Sequence, residues 1–238
     1  MNAFFRRAAL AGCAAALLTA LSGCGLFPGG DDDGDSPTPA PSAAASERVF
    51  DSEFTHDGTF QSHNTTSDVD YVFTIWPTKS TPRTNDWYPL GDKNFSFTFQ
   101  AYDMSREFRD PFSSKRQTFL QNIKVTSTVT TESGSVTDGP YSLDATAASI
   151  TFDPEPVSNQ WGMLVTSPKG SFELRNQTIG DLPEDAVGVT LRFEATVWTE
   201  NAAGKPDVTP QVITQEVPIA IFASDTPTEQ QEIAKNAN

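Results

Sequence analysis

The chain has 238 residues, with 31 acidic against 16 basic side chains, a formal net charge of −15 at pH 7, and only two cysteines and two histidines. A surface of that sign repels nucleic acid, whose binding depends on clustered Lys and Arg, so nucleic-acid partners are excluded. In chain order, Arg6 and Arg7 precede an apolar run from Ala8 to Ala20, which leads into Leu21-Ser22-Gly23-Cys24. A positive start, a short apolar stretch and a small-residue cut site predict a secretory signal over residues 1–23. The apolar stretch falls short of the ~20 residues that cross a bilayer.

Leu21-Ser22-Gly23-Cys24 resembles the lipobox of bacterial lipoproteins. The resemblance implies a diacylglycerol on the Cys24 sulfur and cleavage before it. It also implies attachment to the extracytoplasmic face of a bacterial cell membrane or outer membrane. Leu10-Ala11-Gly12-Cys13 has similar letters, but only Ala8 and Ala9 separate it from Arg7, so no apolar stretch precedes it. With Cys13 removed and Cys24 acylated, the mature chain has no disulfide, no thiol nucleophile and no cysteine-ligated metal. The core alone must hold the domain, and roughly 180 residues suffice for that.

Residues 24–46 read as a disordered tether: Pro28-Gly29-Gly30, then Asp31-Asp32-Asp33-Gly34-Asp35, then a Pro-Ala-Ser stretch to Ser46. Such a composition cannot bury enough apolar surface to order itself. Roughly 22 flexible residues reach ~26 Å. The acidic run is not an EF-hand loop, because its glycine stands fourth rather than sixth and prolines oppose a following helix.

From 47 to 225 the pattern alternates with period two. Val69, Tyr71, Phe73 and Ile75 share one face. So do Phe95, Phe97, Phe99 and Ala101, with Ser96, Thr98, Gln100 and Tyr102 on the opposite, wet face. Ile123, Val125 and Val129 repeat it, and Ala148, Ile150 and Phe152 make a shorter run. Val187 to Val197 and Val217 to Ala223 are two strong late strands, and Pro218 demotes the second to a sheet edge or a bulge. Turn signals fall at Asp57-Gly58, Asp138-Gly139-Pro140, Pro168-Lys169-Gly170 and Asn201 to Pro210; the third is expected to join Trp161–Thr166 to Ser171–Arg175 as a hairpin. About nine one-sided strands without helices predict a single all-β domain, an antiparallel β-sandwich of immunoglobulin-like appearance. The Cys-Trp-Cys signature of antibody domains is absent. Residues 226–238 read as a flexible or short helical tail.

Little catalytic chemistry is legible. His56 and His63 would need Asp51 or Asp68 to hold zinc, and plain surface histidines explain them as well, so no metal or other cofactor is assigned. There is no Gly-x-Ser-x-Gly and no Gly-rich phosphate loop. Carboxylates are so abundant that pairing carries no information. The expectation is a non-enzymatic module.

Two features point to binding instead. Trp87 and Tyr88 stand in a polar, proline-containing segment, and exposed rings near amides and carboxylates suit sugar faces. Basic residues gather in 79–124, with Arg106, Arg109, Lys115 and Arg116 in a long loop from Met104 to Gln117. Long loops in compact domains are often functional, and a basic one could dock an anionic wall polymer or acidic protein. The reading is a membrane-tethered binding or scaffolding module of the cell envelope. A carbohydrate-binding module is the alternative, an envelope hydrolase the next.

Overall fold

The computed structural model describes residues 50, 52, 58–77 and 86–228, all within one compact unit. The expected signal, lipobox and tether, together with His56, Asp51 and most of the expected tail, lie outside the described residues. The architecture is an all-β sandwich of two antiparallel sheets. One sheet has four strands in the order β1 (Phe60–Thr66), β2 (Val69–Pro77), β3 (Lys93–Asp103), β8 (Phe172–Ile179). The other runs β10 (Val208–Ala220), β9 (Ala186–Glu200), β4 (Thr118–Thr131), β7 (Gly162–Leu164), β6 (Ser158–Asn159), with β5 (Val136–Thr146) also paired to β4. No helix among the described residues is long and apolar enough to cross a membrane.

The alternation in the sequence builds the core directly. Val69, Tyr71, Phe73 and Ile75 of β2 and Phe95, Phe97, Phe99 and Ala101 of β3 are buried against Val189, Leu191, Phe193, Ala195 and Val197 of β9. Aromatic rings knit the sheets: Phe97 meets Phe193 edge-on at 4.9 Å, and Phe73 lies 4.7 Å from Phe99 and 5.8 Å from Phe193. Such tilted and edge-on pairs add to the burial of each ring. Pro218 lies in β10, at the edge of its sheet, where a missing N–H costs no ladder bond.

Four expectations change. Ala147–Ile150 is a single helical turn, not a strand. It packs against β4, β5 and β7, and just after it Phe152 N–H donates to Glu173 O of β8 at 2.7 Å. Asp138-Gly139-Pro140 lies inside β5 at an irregularity in the β4–β5 ladder, not at a turn. Its glycine is there for close approach, since a Cβ at Gly139 would strike the Ser127 side chain. The actual hairpin turn holds Gly134 with φ +79°.

The Pro168-Lys169-Gly170 turn forms, but it joins different sheets. β7 pairs with β4, Thr166 bridges to Ala101 of β3, and β8 then pairs with β3. Ser96, placed by alternation on the wet side, is fully buried; its hydroxyl accepts from Asn176 N–H at 3.2 Å beside the irregularity between Phe95 and Phe97.

Candidate functional site

The residues singled out in the sequence sit at opposite ends of the sandwich. Trp87 and Tyr88 precede the start of β3, and the basic loop follows its end. Eleven residues of strand separate those ends by about 33 Å.

At the first end, Trp87 is fully buried. It forms a bridge with Ile221, and its carbonyl accepts from Phe222 N–H at 2.8 Å. Tyr88 is half-buried, and its backbone N–H donates to the Thr228 hydroxyl at 2.8 Å. The expected exposed aromatic pair is therefore corrected: Trp87 is an anchor that the C-terminal segment straps down. Lys93, fully buried at the same end, donates from its ammonium to the carbonyls of Pro89, at 3.1 Å, and Gly91. Burial lowers its pKa to about 8, and Asp181 and Asp92 nearby limit the fall. The unfolded chain therefore holds this proton to higher pH than the folded one, and stability must rise as pH climbs from about 8 towards 10.5. Relative to Lys93→Met, the wild type should gain about 2 kcal/mol by pH 10 in urea melts, at roughly 1.4 kcal/mol per pH unit. A constant difference between the two across pH 7–10 would show that the ammonium is not desolvated.

At the other end, residues 104–117 connect β3 to β4 with one 3-10 turn, Phe112–Ser114. Asp103 organises the whole connection. Its carboxylate accepts from Ser105 N–H and hydroxyl, from Arg116 N–H at 2.8 Å, and from the Arg116 guanidinium at 2.7 and 3.1 Å. Burial alone would raise the Asp103 pKa. The hydrogen bonds from Arg116 and Ser105 overcome it and hold the carboxyl at about 2. The same guanidinium donates to Ser67 O and Asp68 O. Those two residues make the β1–β2 turn, both with positive φ (51° and 58°) and neither a glycine. Arg116 thus staples a turn whose backbone is unfavourable for its residues. Glu200, also buried, ties the loop to the β9–β10 turn by accepting from Gln117 N–H and Gly204 N–H, both at 3.0 Å.

The four basic candidates therefore divide. Arg106 and Arg109 are exposed. Lys115 is buried, with its ammonium 2.7 Å from Phe108 O and 5.4 Å from the Phe108 ring centre. Arg116 is half-buried and consumed by Asp103. Beside the loop is a cleft of about 650 Å³ lined by Tyr102, Asp103, Met104, Phe108, Lys115 and Ser167 among others. Met104 and Phe108 stand out from it, 59% and 70% exposed.

A third feature went unrecognised in the sequence. Trp161, in the β6–β7 turn, packs on Trp198 of β9 with ring centres 4.7 Å apart, and Trp198 Nε1 donates to Gln121 at 3.1 Å. Both are half-buried on the outer face of the six-stranded sheet, above Phe119 and Leu164, which pair with each other across β4 and β7. Trp198 alone could be read as an outward side chain; its partner depended on the β6–β7 turn, which periodicity does not reveal. His63 is engaged by Asp70 at 2.7 Å, and no group of three metal-ligating side chains occurs among the described residues. Compared with known families and with curated proteins, the chain matches no family model and no curated sequence.

Proposed function

We propose that this chain is an exported lipoprotein, tethered through a lipid on Cys24, whose β-sandwich serves as a non-catalytic binding module of the cell envelope. The observation that carries the reading is the placement of the rigid basic loop. Phe50 and Ser52 lie beside the start of β9 and the end of β10. Phe50 lies so close to Gly188 that a side chain there would collide with its ring, and the Ser52 hydroxyl donates to Pro218 O at 2.8 Å. The β3–β4 loop and its cleft lie at the far end of β9, a strand of 15 residues or about 46 Å. The loop is thus at the end of the sandwich opposite Phe50 and Ser52, and its backbone is held by the hydrogen bonds of Asp103 and Glu200. Preorganisation of that kind lowers the ordering cost of binding.

Two tests bear on this. Cys24→Ala should give unprocessed or released protein with no lipid mass; a Cys24→Ala product still carrying diacylglycerol would end the anchoring claim. For binding, Arg106→Glu with Arg109→Glu is the appropriate double reversal, because both are exposed and Arg116 is structural. The pair should slow association with an anionic envelope partner more than it speeds release, and should leave folding unchanged. Identical partners and identical salt sensitivity for the wild type and the reversal would remove the loop from consideration.

A carbohydrate-binding module is the second reading, and the Trp161–Trp198 pair favours it over Trp87 and Tyr88. Stacking of a sugar on those rings would change tryptophan emission in the wild type and not in Trp198→Ala.

A further inference from the structure

We infer that the cleft beside the β3–β4 loop is a binding site for an organic carboxylate with an apolar substituent. The Lys115 ammonium and Arg106 guanidinium take the carboxylate, and Met104 and Phe108 cover the apolar part. The inference rests on the proposal that this end of the sandwich is the binding end, and it names the chemistry of the ligand.

The strongest observation is Lys115. The residue is 5% exposed and lines the cleft. An ammonium carries three N–H donors. Among the described residues it finds one acceptor, Phe108 O, along with the face of the Phe108 ring. None of the ion pairs among the described residues uses it, although Asp103, Glu107 and Asp110 line the same cleft. Buried donors are normally satisfied, so the remaining two call for an acceptor from whatever fills the space.

Of the three carboxylates in the lining, Asp103 and Asp110 accept hydrogen bonds from the loop itself and Glu107 is exposed at the rim, which leaves the cations to meet a ligand. Asp103 is saturated by its five hydrogen bonds from Ser105 and Arg116. Asp110 accepts from Glu107 N–H at 3.1 Å. Arg106, in contrast, is an exposed residue of the lining. Ser167, 9% exposed, brings a hydroxyl to the same lining. The side chains with donors to spare are thus two cations and a hydroxyl, which is a carboxylate-binding set.

The apolar part follows from Met104 and Phe108, the two most solvent-exposed large apolar side chains near the cleft. About 650 Å³ falls within the ~300–1,000 Å³ that small ligands occupy. An apolar group attached to the carboxylate would bury both side chains while its anion reached Lys115. A peptide ending in an apolar residue and a free alkyl acid share this chemistry.

The chain contains its own reporter. Its three methionines are Met1 in the signal, Met104 on the cleft and Met163 in the core. The purified lipidated protein, labelled at the methionine methyl groups and held in nonionic detergent, is titrated with N-acetyl-leucine, with hexanoate and with N-acetyl-leucinamide. The Met104 methyl resonance should shift saturably with at least one acid while Met163 stays still. The amide should bind at least about ten-fold more weakly, since it cannot ion-pair. Preference between the two acids identifies the peptide or the alkyl source.

Lys115→Met should weaken acid binding about ten-fold or more, and Arg106→Gln about three-fold. Glu107→Gln, which removes a like charge from the rim, should tighten it about two-fold. Arg106→Gln and Glu107→Gln act at exposed positions and keep the test valid if Lys115→Met loosens the loop. Equal affinity for acid and amide, unchanged affinity in folded Lys115→Met, or no saturable shift of Met104 would each overturn the assignment. Loss of partner capture in the Arg106/Arg109 reversal without any acid binding would leave the binding end in place and remove only this ligand.

Discussion

Replacing Phe97 with alanine is expected to cost about 3–5 kcal/mol of folding stability. Phe97 is 1% exposed at the centre of the sandwich and touches rings from both sheets: Phe95, Phe172 and Phe193. The loss combines the transfer energy of the ring with the unfilled space it leaves, since the packed strands on either side cannot close over it. Urea unfolding followed by tryptophan emission reads the effect directly. Ser96→Ala is the comparison next to it in sequence. Its hydroxyl is buried and accepts from Asn176 N–H, so the expected cost is about 1 kcal/mol rather than nothing. Equal losses at Phe97 and Ser96 would contradict the assignment of Phe97 to the inter-sheet core.

Asp103→Ala is expected to be comparably damaging, at about 3–5 kcal/mol, although it removes no apolar surface. The Asp103 carboxylate is 2% exposed and the Arg116 side chain 16%. Removing the carboxylate leaves the guanidinium with only the Ser67 and Asp68 carbonyls, and frees the N–H groups of Ser105 and Arg116 in the same step. Two connections should loosen together, the β3–β4 loop and the β1–β2 turn, and hydrogen exchange at residues 66–69 and 104–117 should rise in concert. Acid reports on the same bond. The folded carboxyl has a pKa of about 2, below its usual 3.8, so the unfolded chain takes up the proton first as pH falls. The stabilisation is complete above about pH 4 and is lost towards pH 2, a change of about 2 kcal/mol. Asp103→Ala should lack that part of the acid dependence. A variant whose melting profile parallels the wild type from pH 5 to 2 would show that the network contributes nothing.

The elements that read clearly were those with an apolar residue at every second position. In β2, β3 and β9 that row faces the opposite sheet, although the other face of β2 and β3 is also covered over their first five residues. β1 and β5 escaped for opposite reasons. β1 carries Ser62, Asn64 and Thr66 on its less exposed side and turns through Ser67-Asp68 instead of a glycine turn, so neither pattern nor punctuation marks it. β5 contains Gly139-Pro140, which normally signals a turn, yet here sits at a ladder irregularity packed on Ser127.

For the candidate site, the length of the 104–117 loop and its basic residues were visible in the sequence, but their division of labour was not. Whether a lysine or arginine is free depends on which carboxylate the fold brings beside it. Asp103 is near Arg116 only because β3 ends where β4 begins. Trp87 looked like a surface ring because its neighbours in sequence are polar; a segment more than a hundred residues later covers it.

The sequence by itself determined the all-β class and the inward faces of the long strands. Each of these follows from local composition or from a period of two along the chain. Only the tertiary structure decided that Lys115 and Arg116 are internal, that Trp161 meets Trp198, and that the basic loop lies at the end opposite Phe50 and Ser52. Those are statements about which distant segments share a neighbourhood. Charge, burial and hydrogen-bond supply at any one side chain are set by that neighbourhood, not by the residues on either side of it in the chain.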